Sequence, residues 1–302
     1  MFGFSKRIPE IYADHAAGSP IDVSVKEAMA PWLDASWNPS AIHPRGVKAR
    51  EATEAARKQI AGLLAGHPDE ITFTSSGTEA LHTALHSMLS SWKGEGLPTI
   101  VTTSIEHHAL LEPLKQLEKE KRIVLKFLTL LPNGVIDPDS LKPLLHPSTL
   151  CVAVMYANNE IGTIQPIREL TKIIRAYKKD HQSSLPYMLS DACQVFSFLE
   201  CHIPRLGVDY LVLNGAKVSG PQGIGLLYHR RGVPIEPVFF GGGQEAGKRA
   251  GTENVAAIIG FARALQIAQE KRQRHDASVR MFRDSLEKGI LSLFPDAHVN
   301  GS

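Results

Sequence analysis

Apolar positions along the chain repeat with two different periods. In the segment REATEAARKQIAGLL, Arg50 to Leu64, the residues Ala52, Ala55, Ala56, Ile60 and Leu63 recur at roughly helical spacing, which predicts an amphipathic helix. Glu70–Thr74 (EITFT) reads as a short strand, Ser75–Gly77 as a turn, and Thr78 to about Trp92 as a second helix. The alternation continues with a strand at Pro98–Thr103, a helix at Glu106–Glu120, a strand at Leu125–Leu130 and a turn at Leu131–Gly134. Thr149–Tyr156 (TLCVAVMY) is a continuous apolar run, as expected of a parallel strand buried on both faces. A helix at Arg168–Lys179 and strands at Pro186–Ser190, Asp209–Leu213 and Ile224–His229 follow, then a flexible loop at Gly241–Gly243 and a mostly helical stretch from Asn254 to about Leu291. Strands alternating with helices predict an α/β fold around a mainly parallel sheet.

Composition narrows the function classes. A length of 302 residues suffices for one large domain or two modest ones. The net charge of +2 gives no reason to expect a nucleic-acid or membrane-surface partner. No apolar run reaches the roughly 18 residues of a membrane helix, and Met1–Glu10, with Lys6 and Arg7, is followed by no apolar core of a secretory signal. Cys151, Cys193 and Cys201 show no CxxC spacing, so a reducing, cytoplasmic location is expected and a metal site is not.

The polar residues that could do chemistry follow predicted strands, and open α/β sheets bind ligands outside the carboxyl ends of their strands. Ser75-Ser76-Gly77-Thr78-Glu79 opens a helix, where free N–H groups and the helix dipole favour a phosphate; the same residues also make an ordinary N-cap. Asp191, in Ser190-Asp191-Ala192-Cys193-Gln194, reads as a turn carboxylate or as the partner of a cationic ring nitrogen. Lys217, in Asn214-Gly215-Ala216-Lys217, reads as a loop lysine or as a desolvated amine able to form a Schiff base. His107 could stack on an aromatic ring, and Asn158-Asn159 could donate to a phenolate oxygen or simply make a turn. Each motif is weak alone, but their order along the chain is demanding.

Taken together, the chain resembles a cysteine desulfurase of the class V aminotransferase superfamily from Ile11 to about Val299. The motifs that carry the resemblance include Tyr12–Ala17, Asn38-Pro39-Ser40, Phe73–Glu79, Glu106-His107, Asn158–Gly162, Asp191–Gln194, Lys217, Gly220–Gly223 and Arg249–Thr252. The resemblance implies an aspartate-aminotransferase-like fold for a pyridoxal 5'-phosphate (PLP) enzyme, with a seven-stranded sheet flanked by helices. It implies a segment 1–15, a large PLP-binding domain over 16–253, and the helical start of a small, truncated C-terminal domain over 254–302. Lys217 would carry the cofactor and shuttle protons, Asp191 face the pyridine nitrogen, His107 stack on the ring, and Asn159 and Gln194 lie by the phenolic oxygen. Gly77, Thr78 and Asn214 would hold the phosphate, while Thr252 would reach the phosphate of a neighbouring subunit in a homodimer. The implied reaction removes sulfur from L-cysteine, giving L-alanine and a protein persulfide for an acceptor or scaffold protein in iron–sulfur or thio-cofactor assembly. A selenocysteine lyase, another class V aminotransferase, or a PLP-binding scaffold without turnover are the other readings.

The chain departs from the family pattern at three places. Ala216 stands where a histidine is usual, Asn214 where a serine is usual, and no counterpart is found of the family's mobile-loop cysteine and carboxylate-gripping arginine. Cys193, beside Asp191 and Gln194, is the cysteine that could substitute as sulfur acceptor; Cys151 and Cys201 read as structural.

Overall fold

The computed structural model describes residues 11–35 and 37–301, so Lys6 and Arg7 lie outside it. Seven strands form one sheet: β1 (Ile71–Thr74), β2 (Thr99–Thr102), β3 (Val124–Phe127), β4 (Thr149–Ala153), β5 (Tyr187–Asp191), β6 (Tyr210–Asn214) and β7 (Gly225–His229), in the order β1-β7-β6-β5-β4-β2-β3. β7 runs antiparallel to both of its neighbours, and the other pairings are parallel. The mainly parallel, seven-stranded sheet expected of the sequence is the one observed.

Helices cover both faces. Alternate residues of each strand point to opposite sides, so Cys151 and Ala153 of β4 enter one core while Val152 and Val154 enter the other. The first core is closed by α3 (Gly77–Ser90) and α4 (His108–Lys119), through Leu81, Leu85, Met88, Leu110 and Leu114. The second is closed by α2 (Pro44–Leu64), α5 (Ile167–Asp180), the single turn α6 (Ile203–Leu206) and α7 (Val255–Leu293). Burial on both faces explains why β4 reads as an unbroken apolar run. Among the described residues no helix is long and apolar enough to cross a membrane.

Two helices differ from the expectation, one of them in two respects. Helix α1 (Val23–Leu33) had no predicted counterpart; Asp22 caps it by accepting from Ser24 N at 2.9 Å, and it packs on α7. Helix α2 begins at Pro44, with His43 as cap, rather than at Arg50. Its buried face also differs, since Ala55 is exposed while Thr53, Arg57 and Ala61 are buried. The reason is tertiary: the Arg57 guanidinium donates two 2.8 Å bonds to the Glu245 carboxylate, so a charged residue occupies a core position.

Candidate active site

Five loops meet at the carboxyl edge of the sheet, after β1, β2, β4, β5 and β6. Together with a turn at 14–17 they line a cavity of about 420 Å³ that contains Gly77, Thr78, His107, Asn159, Asp191, Gln194, Asn214 and Lys217. All the expected site residues except Thr252 are therefore brought together. Thr252 is exposed and borders a separate hollow shared with Ser75 and Arg249.

At the β1–α3 junction, Ser76 Oγ accepts from Glu79 N at 3.1 Å, which caps the helix. The N–H groups of Gly77 and Thr78 have no carbonyl within the helix to bond and sit at its positive end. The junction is locked from behind by Glu79, whose carboxylate accepts from Ser75 N, Ser75 Oγ and Arg249. Burial opposes ionisation of Glu79, but the bonds from Arg249 and Ser75 outweigh it and hold the carboxyl below its ordinary range. Gly225 of β7 makes the close approach possible, because a Cβ there would meet the Ser76 backbone at 2.4 Å. A Cβ on Gly77 would likewise lie 2.8 Å from Cys193 Sγ. Gly77→Ala is therefore expected to weaken binding of a phosphate group at this helix start by about tenfold through the displaced turn. Adding Cys193→Ala, which removes Sγ, should recover most of that loss; equal affinity of Gly77→Ala and wild type in a binding titration would contradict this role.

Lys217 lies in a 3-10 turn directly after β6 and is half-buried. Its Nζ donates to the carbonyls of Ala16 (2.6 Å) and Ala17 (2.8 Å), and Gln194 Nε2 also donates to Ala16 O at 2.9 Å. Asp14, Ala16 and Ala17 line the cavity, and the sequence reading gave them no role. The signal was present in the Tyr12–Ala17 motif, but a turn without periodicity discloses no position.

Asp191 ends β5 at 8% exposure, and its Oδ1 accepts from Cys193 N at 2.9 Å. Asn214 Oδ1 accepts from Ala216 N, which leaves its amide donor beside Gly77. The residue at 214 thus still offers an N–H to the helix start. His107 is exposed and caps α4, its Nδ1 accepting from Ala109 N at 3.0 Å. Of the asparagine pair, Asn159 lines the cavity while Asn158 is buried and bonded to its surroundings. Burial raises all three thiols: Cys201 to about 12, Cys151 further still, and Cys193 well above its ordinary value, with Asp191 adding to the rise at Cys193. None is a ready thiolate at neutral pH, which argues against Cys193 as sulfur acceptor.

The donor set suits PLP in kind: a helix N-terminus with close backbone approach for a phosphate, a carboxylate at a strand end, and a lysine amine in the same cavity. The description "Aminotransferase class-V" matches residues 11–301, and the chain belongs to that family. The family is one of PLP enzymes. A cysteine desulfurase IscS of Dictyoglomus turgidum is 40% identical over 97% of this chain and 72% of its own length. A solved NifS-like protein superposes with a TM-score of 0.88 at 35% identity, covering 93% of this chain and 75% of that one. A solved structure titled SspA in complex with cysteine gives a TM-score of 0.78 at 34% identity, over 84% of this chain and 72% of that one.

Proposed function

We propose that this protein is a PLP-dependent cysteine desulfurase whose cofactor is carried by Lys217. The observation that carries the proposal is the convergence of Lys217, Asp191, His107 and the Gly77–Thr78 helix start on one cavity. Relatives named cysteine desulfurase and a related structure with cysteine indicate the substrate, L-cysteine.

In this reading Gly77 N, Thr78 and the Asn214 amide hold the phosphate, and Asp191 faces the ring nitrogen. Asn159 and Gln194 lie by the phenolic oxygen, and His107 covers the ring. The bound cofactor supplies an electron sink. Lys217 Nζ moves protons at the substrate carbon once the Ala16 and Ala17 carbonyls release it. The overall change moves sulfur from L-cysteine to a protein thiol, leaving L-alanine and a persulfide. Because Cys151, Cys193 and Cys201 are held as thiols, the accepting cysteine is expected outside these three. In this proposal residues 16–253 are the PLP-binding domain, and 254–302 are the helical segment leading towards the small C-terminal domain, its first turns packed into the second core. Thr252 serves the phosphate of the other subunit in a homodimer, and a persulfide acceptor or scaffold protein completes the partners. The location proposed is cytoplasmic.

A second reading, a PLP-binding scaffold without turnover, is favoured by the raised pKa of all three thiols, two of them buried and Cys193 half-buried. Alanine formation from L-cysteine, in the presence of PLP and dithiothreitol as sulfur acceptor, separates the two. The desulfurase forms alanine in a cysteine-dependent manner. Cofactor binding without alanine would establish the scaffold instead.

A further inference from the structure

Glu106 and Asn158 are buried polar residues that the proposed chemistry does not use, at 4% and 7% exposure. Each is adjacent in sequence to a cavity residue, His107 and Asn159 respectively. Their side chains cross between the two loops in opposite directions. The Glu106 carboxyl reaches from the His107 loop and accepts from Met155 N at 2.9 Å, while Thr103 Oγ1 donates to it at 2.6 Å. Asn158 reaches back from the Asn159 loop, its Nδ2 donating to Ile105 O at 2.8 Å. Asn158 Oδ1 also accepts from Glu160 N and Ile161 N, which fixes the turn beyond Asn159.

The strands explain why these bonds are needed. Val154 N and Tyr156 N bond the β5 side, to Leu189 O and Asp191 O. Met155 N–H, pointing the other way, faces the place where β2 would continue, but β2 ends at Thr102. An unpartnered buried N–H is costly, and Glu106 supplies the missing acceptor. An apolar side chain at 106 would fill the space but leave Met155 N–H unpaired and only the Asn158 bond tying the two loops.

We infer that Glu106 and Asn158 form a reciprocal latch that sets the spacing of the His107 and Asn159 loops, making both positioning residues of the active site. The effect on cofactor binding rests on the proposed PLP site, whereas the latch itself does not. The charged group that acts on Glu106 from beyond β4 is Asp191 of β5; Thr103 and Met155 offer only neutral donors, and His107 lies on its own loop. Burial, reinforced by Asp191, pushes the Glu106 carboxyl up to about 8, against the bonds from Thr103 and Met155 that lower it. Burial thus favours the protonated form of the carboxyl in the latch. A protonated carboxyl is both donor and acceptor, as a glutamine amide is, whereas a carboxylate only accepts.

The test compares Glu106→Ala, Glu106→Gln and Thr103→Val by hydrogen–deuterium exchange of the cofactor-free protein. Glu106→Ala is expected to speed exchange about tenfold in both segments 103–108 and 154–162, the loss corresponding to one or two buried bonds. Thr103→Val, which removes one donor and is the variant to use where Glu106→Ala does not fold, should speed the same two segments by less. Glu106→Gln should restore wild-type exchange. Apparent affinity for PLP should fall about tenfold in Glu106→Ala and recover in Glu106→Gln. The wild-type melting temperature should also decline relative to Glu106→Gln as pH rises from 4.5 towards about 8, because a raised folded-state pKa means stability is lost over that window. Unchanged exchange in Glu106→Ala and Thr103→Val, an increase confined to 103–108, or a Glu106→Gln variant as perturbed as Glu106→Ala would each overturn the latch. Wild-type protein that binds no PLP would refute the cofactor reading and leave the exchange result to stand by itself.

Discussion

Replacing Lys217 with alanine is expected to abolish the visible absorbance band that PLP develops on the wild-type protein. It should also lower alanine formation from L-cysteine by about a thousandfold or more, as loss of a nucleophile and general base does. Among the described residues the amine bonds two backbone carbonyls and no carboxylate, so it can be released without breaking an ion pair. The side chain is half-buried and ties down only the 14–17 turn, so the variant should remain folded. Lys217→Arg keeps a cation but cannot form the covalent link, and should be as defective as alanine. Lys178 is the informative comparison. Burial holds its amine below the ordinary range, yet it lies near the amino end of β5, against Asp209, away from the cavity. A depressed pKa alone would nominate Lys178; position nominates Lys217. Lys178→Ala should leave the band intact.

The second large effect concerns stability. Glu245→Ala removes the carboxylate that receives two bonds from Arg57 and one from Phe73 N. The pair is well buried, with side-chain exposures of 9% and 2%, so the guanidinium would keep only the half-exposed Glu54 carboxylate, 3.1 Å from its Nε, as a partner. Breaking such a pair from one side costs about 3–5 kcal/mol. A fall of roughly 10 °C in the thermal midpoint is expected. Glu245 also sits in left-handed backbone (φ 50°), as does Ala246 (φ 56°), so the pair holds a strained loop as well as a charge. That loop runs on to Arg249 and Thr252. Calorimetry of Glu245→Ala checks the first effect, and faster hydrogen–deuterium exchange over residues 243–249 would mark the second. A midpoint within a degree of wild type would show that the pair contributes little.

Much of this molecule could be read from its residues, and the physical reasons divide cleanly. β4 was legible because a strand buried on both faces must be apolar throughout, and Thr149–Ala153 is. Gly77, Asp191 and Lys217 were legible because each stands at, or within three residues after, the end of a strand, which in an open sheet puts it at the ligand edge. The buried face of α2 was not, because Arg57 is inside only by virtue of Glu245, distant in sequence. Periodicity assigns a charged residue to solvent unless the partner is known. Helix α1 escaped notice because it is short, contains Pro31, and gains its stability from packing on α7. The 14–17 turn has no period at all, and its place over Lys217 is fixed by the backbone carbonyls of Ala16 and Ala17, which carry no sequence signature. Asn158 and Asn159 look equivalent as a turn pair, and only the family resemblance singles out Asn159; the fold gives the reason, since Asn158 is spent on Ile105 O while Asn159 faces the cavity.

The most direct measurement is peptide mass spectrometry after the protein has been incubated with PLP and reduced with sodium borohydride, which converts a lysine–cofactor link to a stable secondary amine. The predicted result is one modified peptide, carrying the pyridoxyl phosphate mass on Lys217. Modification at Lys178, scattered modification of surface lysines, or none at all would contradict Lys217 as the residue that holds the cofactor.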